Sequence, residues 1–379
     1  MACEPLYYWS GTEYEWPKHS EPCSWKGRLT KAQQHAALEI DETIANGGEL
    51  LVWAVAGAGK TEMLFPGITT ALKDGKRLCI ATPRADVVRE LLLRLNEAFH
   101  PLHIQGLYSG SRDNDGTSQF IIATTHQLLR YRRAFDVLII DEIDAFPYHH
   151  DETLQFAAKR AAKENASLIY LTATPREMHQ SLIASKKLKH VFVPLRFHGH
   201  ALPVPRLERS FSFKNGQLAP NFIAWLKERK NPSRQLLLFV PTIRTANETI
   251  APLTELFLSE KIIAYPSELT AVHAEDKKRE EKIKKFRNQN IYALVTTTIL
   301  ERGVTFPSVD VAVLHADHHV FDEAALVQIA GRAGRSPTDP DGEVVYFHEG
   351  KTNAIARATK AIMKMNERAA SFAEKGEML

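Results

Sequence analysis

Residues 54–61 read Ala-Val-Ala-Gly-Ala-Gly-Lys-Thr, directly after the apolar run Leu50-Leu51-Val52-Trp53. An apolar strand that feeds a glycine-rich turn and then opens a helix commits a chain to an α/β unit. Gly57 and Gly59 let the backbone curl, so that N–H groups on either side of Ala58 converge on one point, where the helix N-terminus also favours negative charge. Such a cradle suits the phosphates of a nucleoside triphosphate. Lys60 is long enough to reach the β- and γ-phosphates, and the Thr61 hydroxyl can ligate Mg²⁺.

A chain of 379 residues is too long for one ordinary core, so two domains are expected. Short apolar runs alternate with helical patterns, which predicts parallel sheets flanked by helices. In the first half the strands are expected at 50–56, 77–82, 119–124, 136–141 and 167–172, with helices at 84–99 and 151–164. A second set is expected at 236–240, 292–295, 311–314 and 343–347. The Pro-, His- and Arg-rich stretch 196–220 has no period. This divides the chain into an extension at 1–27, a first domain at 28–200, a linker at 201–219 and a second domain at 220–379.

The formal net charge is +3, so overall charge supplies no strong pull on a polyanion, and a nucleic-acid partner would need a local track. The charged stretch 275–290 mixes both signs and reads as a solvated helix face with Glu–Lys pairs. No apolar run approaches the ~20 residues of a membrane span. The start is neither a charged nor an apolar leader, which places the chain by default in the cytoplasm. Three cysteines, Cys3, Cys23 and Cys79, cannot build a disulfide framework or a paired zinc site. Cys79 sits in an apolar run and reads as a buried hydrophobe.

Further blocks carry chemistry. The strand Val137–Ile140 ends in Asp141, Glu142, Ile143 and Asp144. At that position Asp141 can hold Mg²⁺, and Glu142 can take the proton of an attacking water. Thr172 and Thr174 follow the next strand and can link the acids to a neighbouring surface by hydrogen bonds. Thr296–Gly303 follows a strand in the second half, where Thr297 and Thr298 can hold a phosphodiester and Arg302-Gly303 turns toward nucleotide. Gln328, Arg332 and Arg335 end an amphipathic pattern, with two arginines three apart on an expected helical face. Guanidinium forks stabilise charge that develops on a phosphoryl group. His315, Asp317, His318 and His319 read as a solvated loop, as do His149 and His150, while Asp151 is expected to cap the next helix. The aromatic cluster from Tyr7 to Trp16 can either stack bases or lie as an extension over the first domain.

In this order the blocks resemble superfamily 2 helicases and translocases, over roughly residues 28–350. Leu29–Gln33 resembles the Q motif, and Ala54–Thr61 the phosphate loop. Ala81–Arg84 resembles motif Ia, Tyr108–Gly110 motif Ib, and Thr124–His126 a further strand-contact motif. Asp141–Asp144 is similar to motif II, Thr172–Thr174 to motif III, Phe239–Thr242 to motif IV, Thr296–Gly303 to motif V and Gln328–Arg335 to motif VI. Asp141–Pro147, Thr298–Pro307 and Ala325–Arg335 resemble, more narrowly, the ComFA family of late competence ATPases from naturally transformable bacteria.

The resemblance implies two tandem RecA-like α/β domains with a nucleotide cleft between them, and ATP and Mg²⁺ as the fuel. Gln33, Gly57, Ala58, Gly59, Lys60, Thr61, Gln328 and Gly303 would bind nucleotide. Lys60, Asp141, Glu142, Arg332 and Arg335 would carry hydrolysis, with Thr61 and Asp141 on the metal. Pro83, Arg84, Ser109, Gly110, Thr124, Thr125, His126, Thr174, Thr297 and Thr298 would contact single-stranded DNA. The implied role is DNA entry during transformation, beside uptake proteins at the inner face of the membrane and without membrane insertion. The opening Cys3–Trp9 resembles the stretch that follows the family's four-cysteine zinc module. That module is not in this chain, so no zinc is expected. The competing readings are a replication-restart helicase and an ATP-driven switch that never moves along a strand.

Overall fold

In the computed structural model, residues 11–111, 115–210, 218–302 and 305–374 are described. The chain divides into two compact units, with the change at Pro194/Leu195.

The first unit holds β1 (Gly48–Ala54), β2 (Leu78–Thr82), β3 (Ile104–Leu107), β4 (Phe120–Thr124), β5 (Phe135–Asp141), β6 (Ala162–Thr172) and β7 (Lys189–Val193). Its helices are α1 (Lys31–Asn46), α2 (Lys60–Met63), α3 (Phe65–Lys73), α4 (Ala85–Ala98), α5 (Glu152–Ala161) and α6 (Glu177–Ala184). The strands form one seven-stranded sheet in the order β3-β4-β2-β5-β6-β1-β7, with every pairing parallel. The strands β2 and β4 are buried at every residue, because helices cover both faces of a parallel sheet. One core cluster gathers Leu51, Cys79, Ile121, Leu138 and Ile140 from three adjacent strands, β4, β2 and β5, and from β1. Each such aliphatic side chain contributes roughly 1.5–3 kcal/mol on burial.

The helix expected over 151–164 stops at Ala161, and β6 starts at once. The sheet takes these residues, since Ala162 pairs with Phe135 of β5. Asp151 caps α5, accepting from the N–H groups of Thr153 and Leu154. Pro66 interrupts the helix that follows the phosphate loop, dividing α2 from α3 around Leu64. Residues ahead of α1 run over the unit as a strap. The His19 N–H donates to the Leu72 carbonyl at 3.1 Å, and the Ser24 N–H to that of Ala98 at 2.7 Å. The Arg77 guanidinium lies 4.8 Å from the Trp16 ring centre. Trp16 thus belongs to a covering segment; Tyr7, Tyr8, Trp9 and Cys3 fall outside the described residues.

The second unit holds β8 (Arg206–Arg209), β9 (Gln235–Phe239), β10 (Leu269–Val272), β11 (Ala293–Thr296), β12 (Val309–Val313) and β13 (Val344–His348). Its helices are α7 (Pro220–Glu228), α8 (Ile243–Ser259), α9 (Arg279–Arg287), α10 (Glu323–Ala330) and α11 (Asn353–Glu374). The sheet order is β10-β11-β9-β12-β13-β8, again parallel throughout. The stretch read as a linker contains β8, which pairs with β13. The charged α9 is a solvated helix with an i,i+4 pair, Lys285 to Glu281 at 2.7 Å. At the start of β12, fully buried Asp310 is held by Arg229 at 2.7 Å and by Arg234.

Candidate active site

Parallel strands present all their C-terminal ends on one edge of a sheet, which is where a ligand meets loops and helix starts. In the first unit that edge collects nearly every chemistry-bearing residue. The order of strands sorts them into two groups. Neighbours β5, β6 and β1 carry the acids, the hydroxyls and the phosphate loop. Neighbours β3, β4 and β2 carry the three strand-contact stretches.

The phosphate loop leaves β1 at Ala54. Gly57 and Gly59 have φ of 82° and 72°, the left-handed region that a Cβ disfavours, so glycine is required at both. The Ala58 N–H donates back to the Val55 carbonyl at 3.1 Å, closing the turn. Gln33 is buried and acts from α1. Its Oε1 accepts from the Thr30 N–H at 2.8 Å in a capping box, and its Nε2 donates to the Ala58 carbonyl at 2.8 Å. The glutamine therefore braces the phosphate loop directly. An amide has two donors and two acceptor sites, so one of each is left over for a base.

Lys60 Nζ lies 3.9 Å from Asp141 Oδ1. The same Asp141 oxygen accepts from the Glu142 N–H at 2.9 Å. Glu142 is buried and has φ of 57°, an uncommon state for a residue with a Cβ. Strained backbone of this kind concentrates at functional sites. Thr61 is buried, and its hydroxyl receives a hydrogen bond from Arg94 at 3.3 Å; Arg94 also pairs with Glu62. A hydroxyl and a carboxylate are the hard oxygen donors that Mg²⁺ prefers alongside phosphate oxygens. Thr61 and Asp141 fit that role.

Asp144 is buried, and both of its oxygens are engaged. Thr172 donates to Oδ1 at 2.7 Å and Thr174 to Oδ2 at 2.6 Å. Arg176 holds the Asp144 carbonyl at 3.1 Å and lies 3.2 Å from His149 Nε2. The Trp53 indole, just ahead of the phosphate loop, donates to the Ala173 carbonyl at 3.1 Å. Acids, hydroxyl strand and phosphate-loop strand thus form one bonded block. Burial holds the nearby His179 imidazole below its usual value, with the Asp144 charge opposing. Thr174→Val keeps the shape but removes one donor from a buried carboxylate. The expected cost is about 1–3 kcal/mol, read as a lower denaturant midpoint at unchanged slope.

The strand-contact candidates divide by exposure. Ser109, Gly110 and His126 are exposed and Arg84 is half-buried, all just beyond strand ends. Pro83 and Thr124 are buried, and Thr125 is fully buried inside a short 3-10 turn. The Thr174 hydroxyl is committed to Asp144. Of the expected strand contacts, Pro83, Thr124 and Thr125 are thus buried, and Thr174 is half-buried with its hydroxyl bonded to Asp144.

In the second unit α10 ends at Ala330, so Arg332 and Arg335 do not share a helical face as the spacing suggested. Gly334, four residues past the helix end, has φ of 62° and closes the turn that follows. Arg332 is 2% exposed, and its Nε donates to the Glu301 carbonyl at 2.8 Å, tying motif VI to motif V. Arg335 is half-buried. Its Nε donates to the Gly331 carbonyl at 2.8 Å and its Nη1 to Thr305 at 3.4 Å. Arg302 was expected to turn toward nucleotide. It is buried, with Nε 3.5 Å from Glu301. Gln328 is buried on α10, Thr297 and Thr298 flank a short turn after β11, and Gly303 lies outside the described residues.

Arg94, Arg176 and Trp53 were missed by sequence reasoning. Arg94 lies 33 residues beyond Thr61 with no motif around it, and only the packing of α4 reveals it. Among the described residues no group of three or more His, Cys, Asp or Glu is placed to hold a metal, and no helix is long and apolar enough to cross a membrane.

Known proteins share this chain's sequence and fold. Residues 26–177 match the family described as type III restriction enzyme, res subunit, and residues 216–337 match the helicase conserved C-terminal domain. The chain is 46% identical over 371 residues to the competence protein ComFA of Bacillus subtilis, covering 97% of this chain and 78% of that protein. It is 36% identical over 370 residues to ComFA of Streptococcus pneumoniae, covering 97% and 83%. Among solved structures, S. cerevisiae Dbp5 bound to RNA and ADP BeF3 superposes with a TM-score of 0.63 at 20% identity, covering 89% of this chain and 88% of that one. This likeness shows the fold, two RecA-like parallel-sheet α/β domains.

Proposed function

Because the chain belongs to the ComFA family of competence proteins, we propose that this helicase-like ATPase of superfamily 2 is a motor that moves along single-stranded DNA during its uptake in transformation. The observation that carries the reading is the composition of one sheet edge. Lys60 beside Asp141, with Glu142 next in the chain, lies on the same edge as the exposed or half-exposed Arg84, Ser109, Gly110 and His126. A nucleotide site and a strand-binding track on one rigid element are what conversion of hydrolysis into movement requires.

Thr61 and Asp141 would hold Mg²⁺, which would offset phosphate charge, and Lys60 neutralises charge on the β- and γ-phosphates. Glu142 takes the proton of the attacking water. Arg335 supplies a guanidinium to charge that develops on the γ-phosphate. Arg332 holds the loop that carries Arg335. Contacts from Arg84, Ser109, Gly110 and His126 go to the phosphodiester backbone and are therefore sequence-tolerant. Thr297 and Thr298 of the second unit add a second grip. Loss of the γ-phosphate changes which state each grip favours, and alternation of the two gives net movement. Partners are DNA-uptake proteins at the inner face of the membrane.

Two experiments test the reading. Steady-state ATP hydrolysis is expected to rise about tenfold or more with single-stranded DNA, and the enzyme is expected to displace streptavidin from a biotinylated strand end. Hydrolysis indifferent to DNA would instead support an ATP-driven switch. Arg335→Ala is expected to lower kcat by roughly 10²–10³ while ATP binding changes by less than about threefold. An intact kcat would move Arg335 off the γ-phosphate.

A further inference from the structure

Arg196 is the second residue of the second unit, and it is 1% exposed. Its Nη1 donates to the Gly334 carbonyl, the peptide that joins directly to Arg335. Its Nε and Nη2 are buried without a hydrogen-bond partner. Among the described residues the charged side chain that shifts it is another cation, Arg335; burial and that charge together lower its pKa to about 9. His198, two residues on, is pushed down to about 4 by burial and by Arg196, so at neutral pH it adds no further positive charge. A buried guanidinium with two unbonded nitrogens and, among the described residues, no carboxylate partner is a poor stabilising device. A structural role would be better served by an apolar side chain of the same volume.

The surroundings show what it does instead. Gly334 is in the left-handed region, and a Cβ there would stand 2.0 Å from the Pro340 carbonyl oxygen and 3.1 Å from Arg196 Nη1. The turn before Arg335 is therefore pinched between Pro340 and Arg196. The Arg335 side chain itself donates to the Gly331 carbonyl and to Thr305. Like charge repels Arg335 from Arg196, while the Gly334 bond fixes the peptide from which Arg335 projects. Both effects restrict Arg335 to one direction.

We propose that Arg196 is a positioning residue for Arg335: it fixes the Gly334 turn and drives the Arg335 guanidinium outward, so that Arg335 meets the γ-phosphate already aimed. The inference rests on the reading of Arg335 given above. It deepens that reading by naming the group that sets its geometry, which belongs to no motif of the sequence.

The test uses Arg196→Met, Arg196→Ala and Arg196→Lys in the full chain, with and without Arg335→Ala. Arg196→Met is expected to melt at the same temperature as the parent or higher, to lower kcat about tenfold or more, and to leave the KM for ATP within about threefold. Arg196→Ala is expected to behave alike and to recover part of its kcat on addition of millimolar guanidinium ion. Arg196→Lys keeps the charge but loses the planar fork and is expected to fall between. In the Arg335→Ala background, loss of Arg196 is expected to cost nothing further. A wild-type kcat in all three variants would overturn the proposal. So would a lower melting temperature with unchanged turnover per folded molecule, or an equal loss in the Arg335→Ala background. If Arg335→Ala alone retains full kcat, the fault lies with the reading of Arg335 itself. If Arg335→Ala is impaired and Arg196 variants are not, only the positioning role fails.

Discussion

Lys60→Ala is expected to reduce ATP turnover by about 10²–10³, which corresponds to roughly 3–4 kcal/mol of lost transition-state stabilisation. The Lys60 ammonium belongs to the phosphate loop itself, and its one ion pair among the described residues is weak. Its pairing with Asp141 is long, at 3.9 Å, and both side chains keep some solvent contact. A pair of that kind contributes at most about 1 kcal/mol to stability. The variant should therefore melt near the parent temperature, and its defect should appear in kcat/KM. If single-stranded DNA binding is measured in the absence of nucleotide, it should largely survive, because the exposed strand-contact loops lie beyond β2, β3 and β4 rather than on the phosphate loop. Unchanged turnover would remove the phosphate-loop assignment altogether.

Glu142→Gln is the sharper experiment, because it separates binding from chemistry. The substitution preserves size and hydrogen-bonding capacity at a buried site, yet an amide cannot accept the proton of water. Loss of a general base typically costs a factor of about 10²–10⁴ in kcat. ATP affinity should stay within about threefold, so the variant should accumulate as a stable ATP complex. The backbone makes this glutamate particular. It follows the last residue of β5 with φ of 57°, and its N–H is held by Asp141. A non-glycine residue in that region costs roughly 1–3 kcal/mol, which the surrounding strand and hydrogen bonds must offset. Turnover at the parent rate would assign water activation to another group.

The two experiments together bear on what could be read from the chain alone. Strands at the centre of each sheet were visible as continuous apolar runs, and β2, β4, β9, β12 and β13 are buried at every residue. The strands that escaped notice are β3, β7, β8 and β10, and all four are sheet edges. An edge strand has a neighbour on one side only, so it carries residues such as Gln105, His190, Arg206 and Thr270 that dilute the apolar pattern. The same logic explains why 201–219 read as a linker: Arg206–Arg209 has the composition of a loop and the backbone of a strand. Helix ends were also harder than helix existence. Motif VI looked like an extension of α10, but the helix stops at Ala330, a turn ending in left-handed Gly334 follows, and Arg332 reaches the Glu301 carbonyl.

What the residues determined by themselves was chemistry with local geometry. Gly57, Gly59, Lys60 and Thr61 specify a phosphate loop because backbone conformation and reach are set within a few bonds. Asp141 and Glu142 declare an acidic strand end for the same reason. Tertiary structure decided which of these meet. Strands that run β1 to β7 along the chain stand as β3-β4-β2-β5-β6-β1-β7 in the sheet, and this permutation alone sets the phosphate loop beside the hydroxyl strand and the acids. It also decided that Arg94 reaches Thr61, that Thr125 is buried, and that Arg196 grips the turn before Arg335. Such contacts depend on helix packing and strand order over tens of residues, and a short motif holds no information about either.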